Sequence, residues 1–121
     1  MQRIMHGRLI YKILKDAEWR EAQDGGPVEA PLDRADGYVH FSTVETLQST
    51  LSLHFKGVEN AVLLSFYADD FGDDLKWEPA RGGTLFPHVY RRVSADEARQ
   101  TWRLDMGSDG APEAPREVVE V

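Results

Sequence analysis

The run Ala61-Val62-Leu63-Leu64, continued to Tyr67, most constrains the fold of this chain. It is continuously apolar, without helical or alternating spacing, and reads as a central strand. The stretch 8–14 carries Leu9-Ile10-Tyr11 and Ile13-Leu14 and predicts a mostly buried first strand. Val44, Leu47, Leu51 and Phe55 recur at helical spacing, which predicts an amphipathic helix over 43–55 ended by Gly57. Asp16 is a good N-cap for a short helix over 17–23, with Trp19 and Ala22 on its apolar face and Gly25-Gly26 as its stop. The two prolines and missing periodicity of 27–35 predict a surface loop. Residues 75–78 suit a short strand and 102–106 a last one. Between them, Ser94 and Glu97 form a capping box that opens a helix over 95–100. Strands outnumber long helices in mixed order, so the class is α+β.

A chain of 121 residues is one domain that can bury a core without staples. Zero cysteines exclude disulfides and thiolate metal sites and fit a reducing cytoplasm. The formal charge of −7 argues against non-specific nucleic-acid binding, which needs clustered cations. No apolar run approaches the roughly 20 residues of a membrane span, and the N-terminus lacks a signal-peptide pattern, so a cytoplasmic protein is expected. Composition divides the chain into an N-terminal extension (1–7), a single α+β domain (8–104) and a Gly/Pro/Asp-rich, flexible C-terminal tail (105–121). A monomer is expected.

Two strings carry the candidate chemistry. In Asp36-Gly37-Tyr38-Val39-His40-Phe41-Ser42-Thr43, a glycine turn leads into a short strand with one histidine. Ser42 then begins a Ser-x-x-Glu capping box with Glu45, so His40 sits next to helix-start amides, where anions bind. In Gly82-Gly83-Thr84-Leu85-Phe86-Pro87-His88-Val89-Tyr90, a second glycine turn feeds a second histidine strand, flanked by Arg81, Arg91 and Arg92. Two such strands bring His40 and His88 to one cleft with Ser42 and Thr43. The competing reading makes each histidine a partly buried, structural strand residue.

These strings, with Ile10-Tyr11-Lys12-Ile13, Trp19, Asp33-x-x-Asp36, Leu63-Leu64 and Trp77-Glu78-Pro79, resemble a bacterial family catalogued as domain of unknown function 952. The resemblance covers most of residues 8–104 and brings no established activity. It implies a fold remotely similar to the ADP-ribosyltransferase group: a small, mixed, strongly bent split β-sheet with flanking helices that binds NAD between its halves. The Gly-Tyr-Val-His-Phe-Ser string is similar to one in RNA 2′-phosphotransferases of that group, which implies His40 as a ribose or phosphate contact. Many members of the group carry Tyr-His-Gly on their first strand, whereas this chain has Tyr11-Lys12-Ile13. In the domain family itself, position 91 is commonly glycine and is arginine here.

Cleavage of a nicotinamide–ribose bond develops positive charge on the sugar, which a carboxylate favours. Glu78 is the candidate by position, with Trp77 beside it to stack on a base and His88 as a catalytic partner. The ligand-binding set is then His40, Ser42, Thr43, Tyr11, Trp77, Arg81, Tyr90 and Arg91. For Trp77, Glu78 and Tyr11 the competing readings are core packing and a solvated surface acid. NAD is the possible cofactor and a small anionic, nucleotide-like molecule the expected partner. No metal is expected: His40, His88 and His54 lack metal-ligand spacing, and the acidic turn 69–74 lacks that of a calcium loop. The runner-up function is a non-catalytic interaction or structural domain on the same scaffold.

Overall fold

The computed structural model describes residues 7–120; of the expected N-terminal extension, residues 1–6 lie outside the described residues. Strand β1 (Leu9–Leu14) leads into α1 (Asp16–Gln23), α2 (Pro31–Asp36), the two-residue β2 (Val39–His40) and α3 (Val44–His54). Then follow β3 (Val62–Tyr67), β4 (Leu75–Pro79), β5 (Leu85–Val89), β6 (Gln100–Arg103) and α4 (Arg116–Val119). Two three-stranded sheets result, ordered β1-β3-β6 and β2-β5-β4, and every strand pairing among the described residues is antiparallel rather than mixed. A backbone bridge joins the sheets. Tyr11 and Ser42 exchange two backbone hydrogen bonds of 2.8 Å, stitching β1 to the chain just after β2.

As its apolar run predicts, β3 is the middle strand of its sheet and is covered on both faces. Leu64 and Phe66 face inward with Ile10, Leu14, Val39, Phe41 and Val89, filling the space between the sheets. Leu63 faces the other way, with Tyr11 and Ile13, under Leu47 and Leu51 of α3. The period of two along a strand sends neighbouring leucines into separate clusters.

Four local expectations are corrected by tertiary context. The 27–35 loop contains helix α2: Pro31 sits in its first turn, Gly37 ends it at φ 86°, and the Asp33 carboxylate accepts from the Ala30 N–H at 2.8 Å. Helix α1 is capped at Lys15, whose N–H donates to Glu18, rather than at Asp16. The expected Ser42–Glu45 box is displaced by one residue. Ser42 is held extended by Tyr11, Thr43 becomes the N-cap with Thr46 as its partner, and Glu45 pairs with Arg8 instead. The helix expected over 95–100 stops after one turn, Ala95–Glu97, although the Glu97 carboxylate does cap the Ser94 N–H. Arg99 and Gln100 donate to Ser65 instead, which draws the chain onto the edge of β3 as β6.

The segment expected as a flexible tail is packed. Ala111 is buried, and Ala114 and Val118 are buried in one cluster with Leu47 and Leu51 of α3 and Leu63 of β3. The Gln48 side chain both donates to the Pro112 carbonyl and accepts from the Ala114 N–H, and Trp102 donates to Glu117. Composition alone hid this: small apolar residues spaced among prolines have no periodicity, yet Ala114 and Val118 pack over α3.

Leu63→Ala and Leu64→Ala should each cost about 2–5 kcal/mol, since both are fully buried leucines. Urea unfolding checks this, and losses below about 1 kcal/mol for both would contradict the two-faced core. Deleting 108–121 should lower the unfolding midpoint as well, because it uncovers Leu47 and Leu51; an unchanged midpoint would show that the C-terminal packing adds nothing.

Candidate functional site

The outward face of the second sheet carries the site. Alternation along β2 and β5 turns Val39 and Val89 into the core and leaves Tyr38, His40, His88 and Tyr90 on the opposite face. His40 and His88 are directly paired across the strands, and their ring centroids lie 5.1 Å apart, edge to face. The Tyr38 ring lies 4.6 Å from His40, 4.5 Å from His88 and 4.9 Å from Tyr90, so four rings form one cluster.

The two imidazoles have different partners. His40 is held on both nitrogens: Nδ1 lies 2.6 Å from Asp33 Oδ1 and Nε2 lies 3.0 Å from Asp36 Oδ2. A carboxylate only accepts, so the Nδ1 contact is a hydrogen bond donated by the ring to Asp33, and the Nε2 contact with Asp36 is an ion-pair distance. Asp33 is the centre of this network. Its Oδ1 also accepts from the His40 N–H at 3.0 Å, while Oδ2 meets Lys12 Nζ at 2.6 Å and the Ala30 N–H at 2.8 Å. Lys12 donates in addition to the His40 carbonyl at 2.8 Å. Lys12 and Asp33 are both buried. Burial pushes the Lys12 ammonium down and Asp33 opposes it. For Asp33, burial acts upward, but the hydrogen bond with His40 and the Lys12 charge outweigh it and bring the carboxyl from 3.8 to about 2.

His88 is buried, and its Nδ1 lies 2.7 Å from Glu78 Oε1, diagonally across from β4. The same oxygen accepts from the Tyr90 hydroxyl at 2.7 Å. These two hydrogen bonds, from His88 first and then Tyr90, lower the Glu78 pKa, while the bond to Glu78 pushes Tyr90 up to about 12.

A cleft of about 530 Å³ opens between β1, α2, the ends of α3 and the second sheet. His40, His88, Tyr11, Ser42 and Arg81 line it, with Phe41, Phe55 and Phe86 as apolar wall. Lys12, Lys15 and His54 add cationic or titratable groups, against Asp33 and Glu18. Arg81 donates to Ser49 and Thr50 of α3 and lies over the Phe86 ring. Neither Arg81 nor Lys15 has a side-chain ion pair among the described residues.

Three expected site residues are elsewhere. Trp77 alternates to the opposite face of β4 from Glu78, pairs with Pro87 and lies under Arg8. Arg91 forms an ion pair with Glu97 at 2.8 Å, stacks over Phe71 and does not line the cleft. Thr43 is occupied in capping α3, where its hydroxyl accepts from the Thr46 N–H. Conversely, Lys12, Asp33, Asp36 and Tyr38 are joined to the histidines although none of them was expected as a site residue. Tyr38-x-His40 and His88-x-Tyr90 share the strand period, a signal present in the sequence. Asp33 lies outside that period, because its role depends on Lys12 of β1 meeting it in the fold.

Among the described residues no group of three or more His, Asp or Glu side chains is arranged to hold a metal ion. No described helix is long and apolar enough to cross a membrane.

Residues 13–101 match the family model described as "Protein of unknown function (DUF952)". This chain belongs to the DUF952 family. It is similar to protein CC0527 from Caulobacter crescentus. The crystal structure of that protein is 43% identical, with 91% of this chain and 97% of that chain covered and a TM-score of 0.86. The solution NMR structure of CC0527 is 44% identical over 90% of this chain and 93% of that one, with a TM-score of 0.77. No curated protein matches the chain. The family match takes in Asp33, the paired histidines and Glu78, so the cluster lies within the shared part of this DUF952 domain.

Asp33→Ala should cost this DUF952 domain about 3–5 kcal/mol, because it strands a buried lysine. The native pKa of Asp33 lies below its ordinary value. Its ionised form therefore stabilises the fold fully above about pH 4, and this is lost as pH falls toward 2. The stability gap between wild type and Asp33→Asn, measured in urea, should narrow from pH 6 to pH 3. An equal gap at both would contradict the network.

Proposed function

We propose that this DUF952 domain binds a small organic anion, of phosphate- or carboxylate-bearing and nucleotide-like type, in the cleft beside His40 and His88. One observation carries the reading. In a chain of formal charge −7, the cleft concentrates Lys15 and Arg81 without carboxylate partners, beside two histidines. Unpaired cations around a concave, partly aromatic wall suit an anion with an apolar body. A volume of about 530 Å³ is within the range for small-molecule sites.

Two small sheets meeting at the Tyr11–Ser42 bridge support reading the scaffold as ADP-ribosyltransferase-like, with NAD or ADP-ribose as the nucleotide to try first. Glu78, the carboxylate expected to act on a ribose, is already engaged by His88 and Tyr90. That favours binding over ADP-ribosyl transfer. The cationic cleft also favours a ligand site over a purely structural or protein-interaction role.

A titration of labelled protein with NAD, ADP-ribose and phosphate, followed by heteronuclear NMR, tests this. Backbone amides of 11–15, 38–42 and 78–88 should shift, and Arg81→Ala should weaken the response at least about tenfold, as for loss of a charged contact. Shifts absent with all three probes, or unchanged by Arg81→Ala, would overturn the proposal.

A further inference from the structure

We propose that His88 is a catalytic base whose Nε2 takes the proton of a hydroxyl group on the anion bound in the cleft, with Glu78 and Tyr90 as positioning residues. This rests on the binding reading above and names what that site does with its ligand.

The argument starts from which ring nitrogen is free. Glu78 Oε1 stands 2.7 Å from Nδ1 of His88, and an ionised carboxylate accepts but cannot donate. The proton of the neutral ring is therefore on Nδ1, and the lone pair is on Nε2. His88 is 4% exposed and lines the cleft, yet Nε2 has no hydrogen-bond partner among the described residues. Buried polar atoms are nearly always partnered, so a bare Nε2 at a cleft wall is fitted to an incoming O–H. Its neighbour cannot do this. Both nitrogens of His40 are occupied by Asp33 and Asp36, and taking up another proton partner would break the network that joins the sheets. One imidazole is fixed and the other is available.

Glu78 is itself held. The Tyr90 hydroxyl donates to the same oxygen at 2.7 Å, which fixes the carboxylate that orients His88. In the transfer, the hydroxyl O–H bond breaks as the Nε2–H bond forms, and the oxygen keeps the electron pair. The imidazolium charge that appears is balanced by Glu78. A hydroxyl-bearing organic anion, such as a sugar phosphate or nucleotide, is the substrate class, with Arg81 and Lys15 on its charged part.

Two measurements on the full chain test this. Long-range proton–nitrogen NMR at neutral pH should show His88 protonated on Nδ1 and bare on Nε2. Diethyl pyrocarbonate reports the same lone pair: Nε2 attacks the carbonyl carbon, an N–C bond forms, and ethyl carbonate leaves with the C–O bond electrons. Mass spectrometry should find His88 modified. Glu78→Gln should slow that modification at least about tenfold, because the amide can donate to Nδ1 and move the ring proton to Nε2. A merely structural Glu78 would not move the tautomer. A wild-type His88 protonated on Nε2 alone, or a Glu78→Gln variant with unchanged tautomer and rate, would overturn the proposal; the wild-type spectrum decides even where the variant fails to fold. Saturating ADP-ribose or phosphate should protect His88 from the reagent. Absent protection with the Nδ1–H tautomer intact would overturn the binding reading instead.

Discussion

The Asp33 carboxylate is the interaction on which the rest of the structure depends. Its two oxygens take four contacts: the Lys12 ammonium from β1, the His40 ring and backbone N–H from β2, and the Ala30 N–H at the start of α2. Beside it, a backbone bridge between Tyr11 and Ser42 joins the two sheets. A buried lysine and a buried carboxylate are each costly alone, and their close pairing with satisfied hydrogen bonds is what offsets desolvation. The gain is geometric. A two-residue strand cannot hold its own register, yet His40 is fixed on its backbone N–H, its carbonyl and both ring nitrogens.

That fixed histidine sets up the second one. Cross-strand pairing places His88 opposite His40, and Tyr38 fills the angle between the rings. The core side of the same strands is apolar, with Val39 and Val89 packed against Phe41 and Phe66. The sheet therefore has one face committed to stability and one to polar side chains. The number of carboxylates on each histidine gives the cluster its asymmetry: two for His40, one for His88.

The positive groups of the cleft stand out against the acidic remainder of the chain. Arg8, Arg34, Arg91, Arg103 and Arg116 are all paired with carboxylates elsewhere on the surface. Among the described residues Lys15, Lys56, Lys76, Arg81, Arg92 and Arg99 have no side-chain ion pair, and of these Lys15 and Arg81 line the cleft. Two cations at one concave place give an anion a local point of attraction there.

The sequence by itself determined the α+β class, the two-faced central strand, the α3 stripe through Leu47 and Leu51, and two glycine-led strands with one histidine each. These follow from short-range rules: periodicity, propensity and turn chemistry act between residues a few positions apart. Tertiary structure alone decided which side chains share a site. Trp77 and Glu78 are neighbours in sequence but face opposite ways, because strand register sends alternate residues to opposite faces. Arg91 follows the second histidine string yet is taken by Glu97, and the residues after Met106 look like a tail until α3 offers them a surface. Asp33 shows the limit most clearly. In sequence it is an acid in a proline-containing loop; in the fold it is buried and ionised, because Lys12, 21 residues earlier, and His40, seven residues later, converge on it. Pairing a buried charge depends on distances in space, and those are fixed only when the whole chain has folded.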